Sequence, residues 1–296
     1  MSNYGLLSTQ RIELSLRDRM LSIRRASGHE SASHAFTSLF LWQRDMDLSV
    51  CLRERAFAVR CGHIGDNVWF FPCGETGEVL RFVGDILDGF PKVHFMYLRR
   101  EDAELLKEIF PGRFRIEMAE DSSEYLYDRA DYEKLPGDKN RAIRWSINHL
   151  KSHHELRTEP LDNNTLDAAR SIMEKWKPIS SGEGYSPDRS TSSLMLENYE
   201  ELDITGVVVY MDGRAAAVAV GFPLSKNSFD IAFSKAPDRE TGLLHYARRM
   251  LVSRLPESYT VINGEEDLGI PGLRRAKRLE HPIGQIEMFE AYANQE

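Results

Sequence analysis

The chain has 296 residues, 42% of them hydrophobic and 28% charged, with a formal net charge of −8. That length holds one large domain or two ordinary ones, each with its own core, and the acidic balance excludes nucleic-acid binding by bulk attraction. No apolar run nears the roughly 18 residues of a membrane span, and Met1–Gln10 lacks the layout of a signal peptide, so a cytoplasmic protein with no integral membrane segment is expected.

Residues 9–26 predict a basic amphipathic helix, with Leu14, Leu21 and Ile23 inward and arginines on the other side. Ala35–Trp42 reads as a short aromatic helix around Phe36, Leu39 and Phe40. Ala56–Arg60 and Val68–Phe71 flank a polar, glycine-bearing turn and suit a β-hairpin. Cys51, Cys61 and Cys73 match neither a disulfide framework nor a zinc site in number or spacing, so reduced thiols and no metal are expected. Val79–Asp88 reads as a helix, Lys92–Tyr97 as a strand, Glu101–Ile109 as a helix and Phe114–Met118 as a strand. The polar cluster Ala119–Ser123 is the expected boundary between domains of residues 1–121 and 122–296, with Glu124–Asp128 early in the second.

Leu135-Pro-Gly137 punctuates the start of a basic helix. Between Lys139 and His154 it carries Lys139, Arg141, Arg144 and Lys151, with three histidines and no acid. Such a face is either simply solvated or a local patch for RNA phosphates. Asn164–Trp176 has helical periodicity, and Lys177–Asp188 has the Gly, Ser and Pro content of a mobile loop, with Ser180–Tyr185 a candidate lid. Ser192–Leu202 reads as a helix. Gly206–Tyr210 and Ala215–Phe222 flank Met-Asp-Gly-Arg, and Asp-Gly favours a tight hairpin turn. Phe229–Ser234 is a further strand, Gly242–Leu255 an amphipathic helix, and Tyr259–Asn263 and Ile283–Tyr292 the closing strands. This order describes an α+β layered domain with a mixed sheet. The first half repeats a looser version of it, as a duplication would.

The densest feature is Val261–Lys277. An apolar run ends in Glu265, Glu266 and Asp267; a turn with Gly269, Pro271 and Gly272 follows; then a short helix carries Arg274, Arg275 and Lys277. On a continuing strand Glu265 and Asp267 share one face and Glu266 takes the other. Arg274 and Lys277, three apart, share a helix face. The charges either form an internal ionic lattice that fixes the corner or line the rim of a binding site.

Tyr125-Leu-Tyr127, Leu135-Pro-Gly137, Arg141, Asn263–Gly269 and Gly272–Lys277 resemble the DUF2156 family, which is related to the C-terminal domain of phosphatidylglycerol lysyltransferases. The resemblance covers nearly the whole chain. It implies two tandem GNAT-like (acyl-CoA N-acyltransferase) domains with mixed β-sheets flanked by helices, as in the Fem peptidoglycan aminoacyltransferases. Phe36, Trp42 and Pro72-Cys-Gly74 fit the family's first domain. The chain departs from the family pattern at Lys277-Arg-Leu-Glu-His-Pro282, where Lys-Ser-Tyr-x-Pro is expected. It departs again at Ala232-Phe-Ser-Lys-Ala236, where the pattern is roughly His-x-Glu-Lys-Ala. The likeness does not extend to the membrane-spanning half of the lysyltransferases, and no lipid substrate is expected from it.

What this resemblance implies is transfer of an acyl or aminoacyl group to a small-molecule amine. Such transfer needs an acceptor for the amine proton and a donor for the oxyanion. Glu265 and Asp267 are the implied catalytic carboxylates, and Asn263, Glu266, Arg274, Lys277 and Lys235 the implied substrate contacts. The phosphate-cradling loop of GNAT enzymes corresponds to Arg239-Glu-Thr-Gly242-Leu-Leu244, which makes Arg239 and Gly242 the implied cofactor-binding residues, although Leu244 stands where a small residue is usual. Aminoacyl-tRNA is the implied donor, with Lys139, Arg141, Arg144 and Lys151 on its phosphates. Acyl-CoA is the alternative donor. A non-catalytic metabolite-binding protein is the reading from another class.

Overall fold

Short β-branched and aromatic runs build the sheet of the first unit. In the computed structural model, which describes residues 7–177 and 187–294, this unit contains α1 (Arg17–Ala26), α2 (Phe36–Trp42), β1 (Leu48–Leu52), β2 (Ala56–Cys61), β3 (Val68–Gly74), α3 (Thr76–Gly89), β4 (His94–Arg99), α4 (Arg100–Ile109) and β5 (Phe114–Met118). β1, β2 and β3 are antiparallel, and α3 then crosses over so that β4 lies parallel to β3. The apolar face of α3 (Val79, Phe82, Val83, Ile86) packs with Trp69, Phe71 and Phe95. The three cysteines are free and buried.

The predicted helix over 9–26 starts later than expected. Gln10 instead exchanges main-chain hydrogen bonds with Val50, of 2.9 and 2.8 Å, and a short 3₁₀ turn at Leu14–Leu16 precedes α1. Its arginines are not all outward either. Arg24 is 2% exposed and donates to the Ser31 carbonyl at 2.9 Å.

The second unit runs through β6 (Glu124–Asp128), α5 (Arg129–Lys134), α6 (Arg141–His153), β7 (Leu156–Pro160), α7 (Leu166–Lys175), α8 (Pro187–Glu197), β8 (Thr205–Met211), β9 (Arg214–Pro223), β10 (Ser228–Lys235), α9 (Leu243–Val252), β11 (Val261–Asn263), α10 (Pro271–Leu279) and the first residue of β12 (Gly284–Ile286). Its sheet order is β12-β6-β11-β10-β9-β8-β7. The β8–β9 hairpin turns at Asp212 (φ 51°) and Gly213 (φ 77°), the paired left-handed conformations of a two-residue turn that Asp-Gly favours. Ile143, Ile147 and Leu150 of α6 and Leu243, Ala247 and Leu251 of α9 share one core with Val207, Val209, Ala217 and Ala219 of the sheet. The expected lid lies outside the described residues.

The predicted strand over 283–292 is two strands in two sheets. β12 pairs at the edge of the second sheet, whereas β13 (Met288–Ala293) enters the first, whose order is β1-β2-β3-β4-β13-β5. β13 is antiparallel to both β4 and β5. Those two strands are therefore parallel to each other, and α4 connects them across a slot one strand wide. Left empty, that slot would expose two unpaired edges. The expected division assigned everything after residue 121 to one domain. In the structure the first unit holds the chain up to Glu124, Glu266–Ile270 and the segment from Gln285 on; the second holds Tyr125–Glu265 and Pro271–Gly284.

Candidate active site

β10 and β11 are parallel neighbours that soon part. They share three register positions, Ser228–Val261, Phe229–Ile262 and Asp230–Asn263. β11 then stops, while β10 continues to Lys235. A bulge in β10 against β9, between Asp230 and Phe233, falls at the same point. A bulge bends its strand and raises the local twist, which carries one strand away from the other. From Ile231 to Lys235 no described strand pairs with that side of β10. Main-chain groups along such an edge can pair with an extended ligand. Ligands of open sheets also collect at the carboxyl ends of parallel strands.

A charged cluster stands at this end of β10. Arg248 of α9 donates from Nε to Ser234 Oγ at 2.7 Å and from a terminal nitrogen to Glu280 Oε1 at 2.6 Å. His245, one turn earlier, places Nδ1 3.1 Å from the same carboxylate oxygen. Tyr132 of α5 hydrogen-bonds within the Arg248–Glu280 pair. The Glu280 side chain is 7% exposed and that of His245 26%. A carboxylate bound by a guanidinium only accepts, so the proton between His245 and Glu280 sits on Nδ1 and Nε2 of the neutral ring is an acceptor. Nε2 has no hydrogen-bond partner among the described residues and is not one of the buried polar atoms lacking one, so solvent reaches it. Burial alone would raise the Glu280 pKa. The charge of Arg248 and the hydrogen bonds from His245 and Tyr132 outweigh it and hold the carboxyl at about 2. Burial opposes the charge on Arg248 as well, and Glu280 more than restores it, so its pKa is raised. Glu280 is therefore too weak a base for proton transfer at neutral pH; it orients its neighbours.

The Val261–Lys277 corner is not a strand running into a helix. Glu265 has φ 58° and Leu268 φ 54°, so the alternation expected for three successive acids does not apply. In the second unit, buried Asn263 accepts the Glu265 N–H on its side-chain oxygen at 2.7 Å, and Gly264 and Glu265 exchange main-chain bonds with Tyr125. Lys277 points its ammonium at the carbonyls of Gly264 and Glu265. The Tyr127 hydroxyl donates to the Lys277 carbonyl at 3.0 Å, so α10 is tied to β6 and β11 through these bonds. Arg274 is half-buried on the same helix. Glu266 and Asp267 belong to the first unit. There Asp267 is 0% exposed and accepts the Gly269 N–H at 2.9 Å, while Leu268 N–H donates to Asp121. A carboxylate with no exposed surface braces its turn and meets no substrate while that turn stands.

The other predicted positions are dispersed over the second unit. Lys235 lies at the open end of β10 with its ammonium 4.1 Å from the Trp176 ring centre. Arg239 is exposed. Gly242 precedes α9 with φ 85°, and a Cβ there would fall 2.4 Å from the Ser146 carbonyl oxygen of α6. Packing thus requires that glycine, whatever the loop binds. On and before α6, Lys139 pairs with Asp131 at 3.0 Å and Arg144 donates to the carbonyls of Leu135 and Gly137. Arg141 and Lys151 are exposed. Sequence reasoning passed over Trp145, which is 62% exposed and stacks on His149 at 5.1 Å and 14°. It also passed over His245, Arg248 and Glu280. The available signals were His245 and Arg248 three apart on α9, and a Glu inside the very segment that departs from the family pattern.

The first unit has hollows of its own. Two, of about 280 and 390 Å³, share Gly28, Arg99 and Glu101. Most of their charges are paired internally, Arg99 with Asp102 and Glu101, and Arg100 with Glu287.

Parting parallel strands joined through a helix, in a mixed sheet flanked by helices, define a GNAT-like fold. The chain belongs to the family described as phosphatidylglycerol lysyltransferase, C-terminal, whose profile matches residues 24–292. A conserved protein of unknown function from Bacteroides thetaiotaomicron VPI-5482 is 24% identical, with a TM-score of 0.88 over 97% of this chain and 100% of that one. The C-terminal DUF2156 domain of a protein assigned as a lysylphosphatidylglycerol synthetase in Agrobacterium fabrum is 17% identical, with a TM-score of 0.65 over 94% of this chain and 93% of that one. L-PGS from Bacillus licheniformis gives 16% and 0.62 over 94% and 92%. No curated protein matches the sequence. None of the described helices is long and apolar enough to cross a membrane.

Proposed function

We propose that the chain transfers an acyl or aminoacyl group from an ester or thioester donor to an amine, and that the second unit does so. The observation that carries this reading is the coincidence of the unpaired β10 edge with the Ser234–Arg248–Glu280–His245 cluster. The free main-chain groups of Ile231–Lys235 hold the polar groups of the donor, either the amino group and carbonyl of an aminoacyl ester or the amides of a thioester carrier's arm. That docking presents its carbonyl beside the cluster. Lys235 and Arg248 supply positive charge close to where the oxyanion forms, in a setting that is partly shielded from water. Glu265 and Arg274 are the proposed contacts for the ammonium and anionic groups of the acceptor.

The donor ester is carried by RNA in this reading. Its support is the outer face of α6, where exposed Arg141 lies one turn before the exposed Trp145–His149 stack. Exposed aromatic rings beside cations suit unpaired bases and their phosphates. Titration of deacylated tRNA at rising salt tests this. The reading expects log K to fall linearly with log salt, and Trp145→Ala to weaken binding several-fold. Stabilisation by acetyl-CoA with no RNA binding would make the donor a thioester instead. No response to either would favour a metabolite-binding protein.

A further inference from the structure

We infer that His245 Nε2 takes the proton of the incoming amine, with Glu280 acting as the positioning residue that fixes the ring. This rests on the transferase reading above and assigns the proton acceptor of that same site. The geometry has three parts. Nδ1 faces a nearly buried carboxylate 3.1 Å away, so the ring is held in one tautomer. Nε2 is unpaired among the described residues and reached by solvent. His245 shares a helix face with Arg248, one turn on, whose bond to Ser234 places that face at the unpaired end of β10.

In the step itself the lone pair of a neutral primary amine attacks the donor carbonyl carbon. The N–C bond forms, the C–O or C–S bond to the carrier breaks, and the amine proton passes to Nε2. His245 then returns it to the departing alkoxide or thiolate. Glu280 keeps Nδ1–H engaged throughout and balances the imidazolium, as the third group of a nucleophile–base–orienter set does. The charged or titratable groups around the ring are Glu280, Arg248, Tyr132 and Tyr127; the two tyrosines stay neutral, their hydroxyl pKa values raised by burial and by Glu280.

The test combines kinetics with a readout that needs no activity. Transfer from aminoacyl-tRNA and from acetyl-CoA to primary amines is followed against pH in the wild type, His245→Asn and Glu280→Gln. His245→Asn should lower kcat by roughly 100-fold or more with the donor KM little changed, the size typical of a lost general base. Glu280→Gln should lower kcat with the donor KM little changed, because an amide no longer fixes which ring nitrogen carries the proton. In parallel, ¹⁵N NMR of the imidazole nitrogens, assigned by difference with His245→Asn, should show the Nδ1–H form near neutral pH. An active wild type matched by a fully active, folded His245→Asn overturns the inference. If the wild type transfers from no donor, the transferase reading is what fails. The tautomer then decides for His245: an Nε2–H ring overturns its assignment as a held base, and an Nδ1–H ring upholds it. Glu280→Gln is read only where its melting transition is intact, and His245→Asn carries the decision where it is not.

Discussion

His29 and His34 show how strongly one site can tie stability to pH. His34 is 1% exposed; its Nε2 donates to the Phe71 carbonyl at 2.8 Å and its Nδ1 lies 3.0 Å from Ser33 Oγ. Burial, with Arg99 and Arg24 nearby, lowers its pKa from 6.5 to about 3 against the Phe71 bond, which raises it. His29, with its ring centre 4.3 Å away, is lowered as well, first by burial and then by His34, Arg99 and Arg24. For a depressed histidine the unfolded chain binds the proton first. The stability of the neutral pair is therefore complete above the unfolded value near 6.5 and is lost as pH falls toward about 3. Each unit of displacement is worth roughly 1.4 kcal/mol. Glu280 loses its contribution only lower, between 4.5 and about 2. Melting temperature between pH 7 and 5 should accordingly fall in the wild type, and fall less in His34→Gln, although that variant starts lower. Parallel slopes would show that the pair does not govern this limb.

Among the elements, the legible ones had local signals. The β8–β9 hairpin was readable because Asp212-Gly213 can adopt only a few turns between two apolar runs. α3 and α9 were readable from their apolar periodicity. β7 was missed because its Leu156–Pro160 run is an edge strand with no fully buried residue, so pairing rather than hydrophobicity defines it. The corner was located by its charges but misread in form, since left-handed Glu265 follows from hydrogen bonds to Asn263 and Tyr125 that are distant from any sequence rule. His245 and Glu280 come together from α9 and from beyond α10, 35 residues apart, which no spacing shows. The seat of α9 on α6 also gives a prediction. Gly242→Ala adds a methyl 2.4 Å from Ser146 oxygen at a left-handed φ, and should cost at least about 1–3 kcal/mol by denaturant titration. A neutral effect would mean that Gly242 is set by ligand contact and not by packing.

At the scale of the whole molecule, the first sheet stays incomplete until Met288–Ala293 is made. Met288 and Ala291 are both 0% exposed, and β13 alone joins β4 to β5. No reading of the first half could have revealed this, because the strand that fills its slot lies about 170 residues further along than β5. Ala291→Glu should destabilise by roughly 3 kcal/mol or more, as an unpaired charge in a core does. Calorimetry should show that loss, with the Trp69 environment in the first core loosened; an unchanged melting curve would deny β13 its place. Amide-forming chemistry in the second unit is testable by identifying the product. Purified protein is incubated with aminoacyl-tRNA carrying a labelled amino acid, or with labelled acetyl-CoA, and a panel of primary amines, and the amide product is identified by mass spectrometry. A new amide is expected, whose formation requires native protein and falls roughly 100-fold in His245→Asn. Folded wild-type protein that forms no amide from either donor, across the panel, would contradict it.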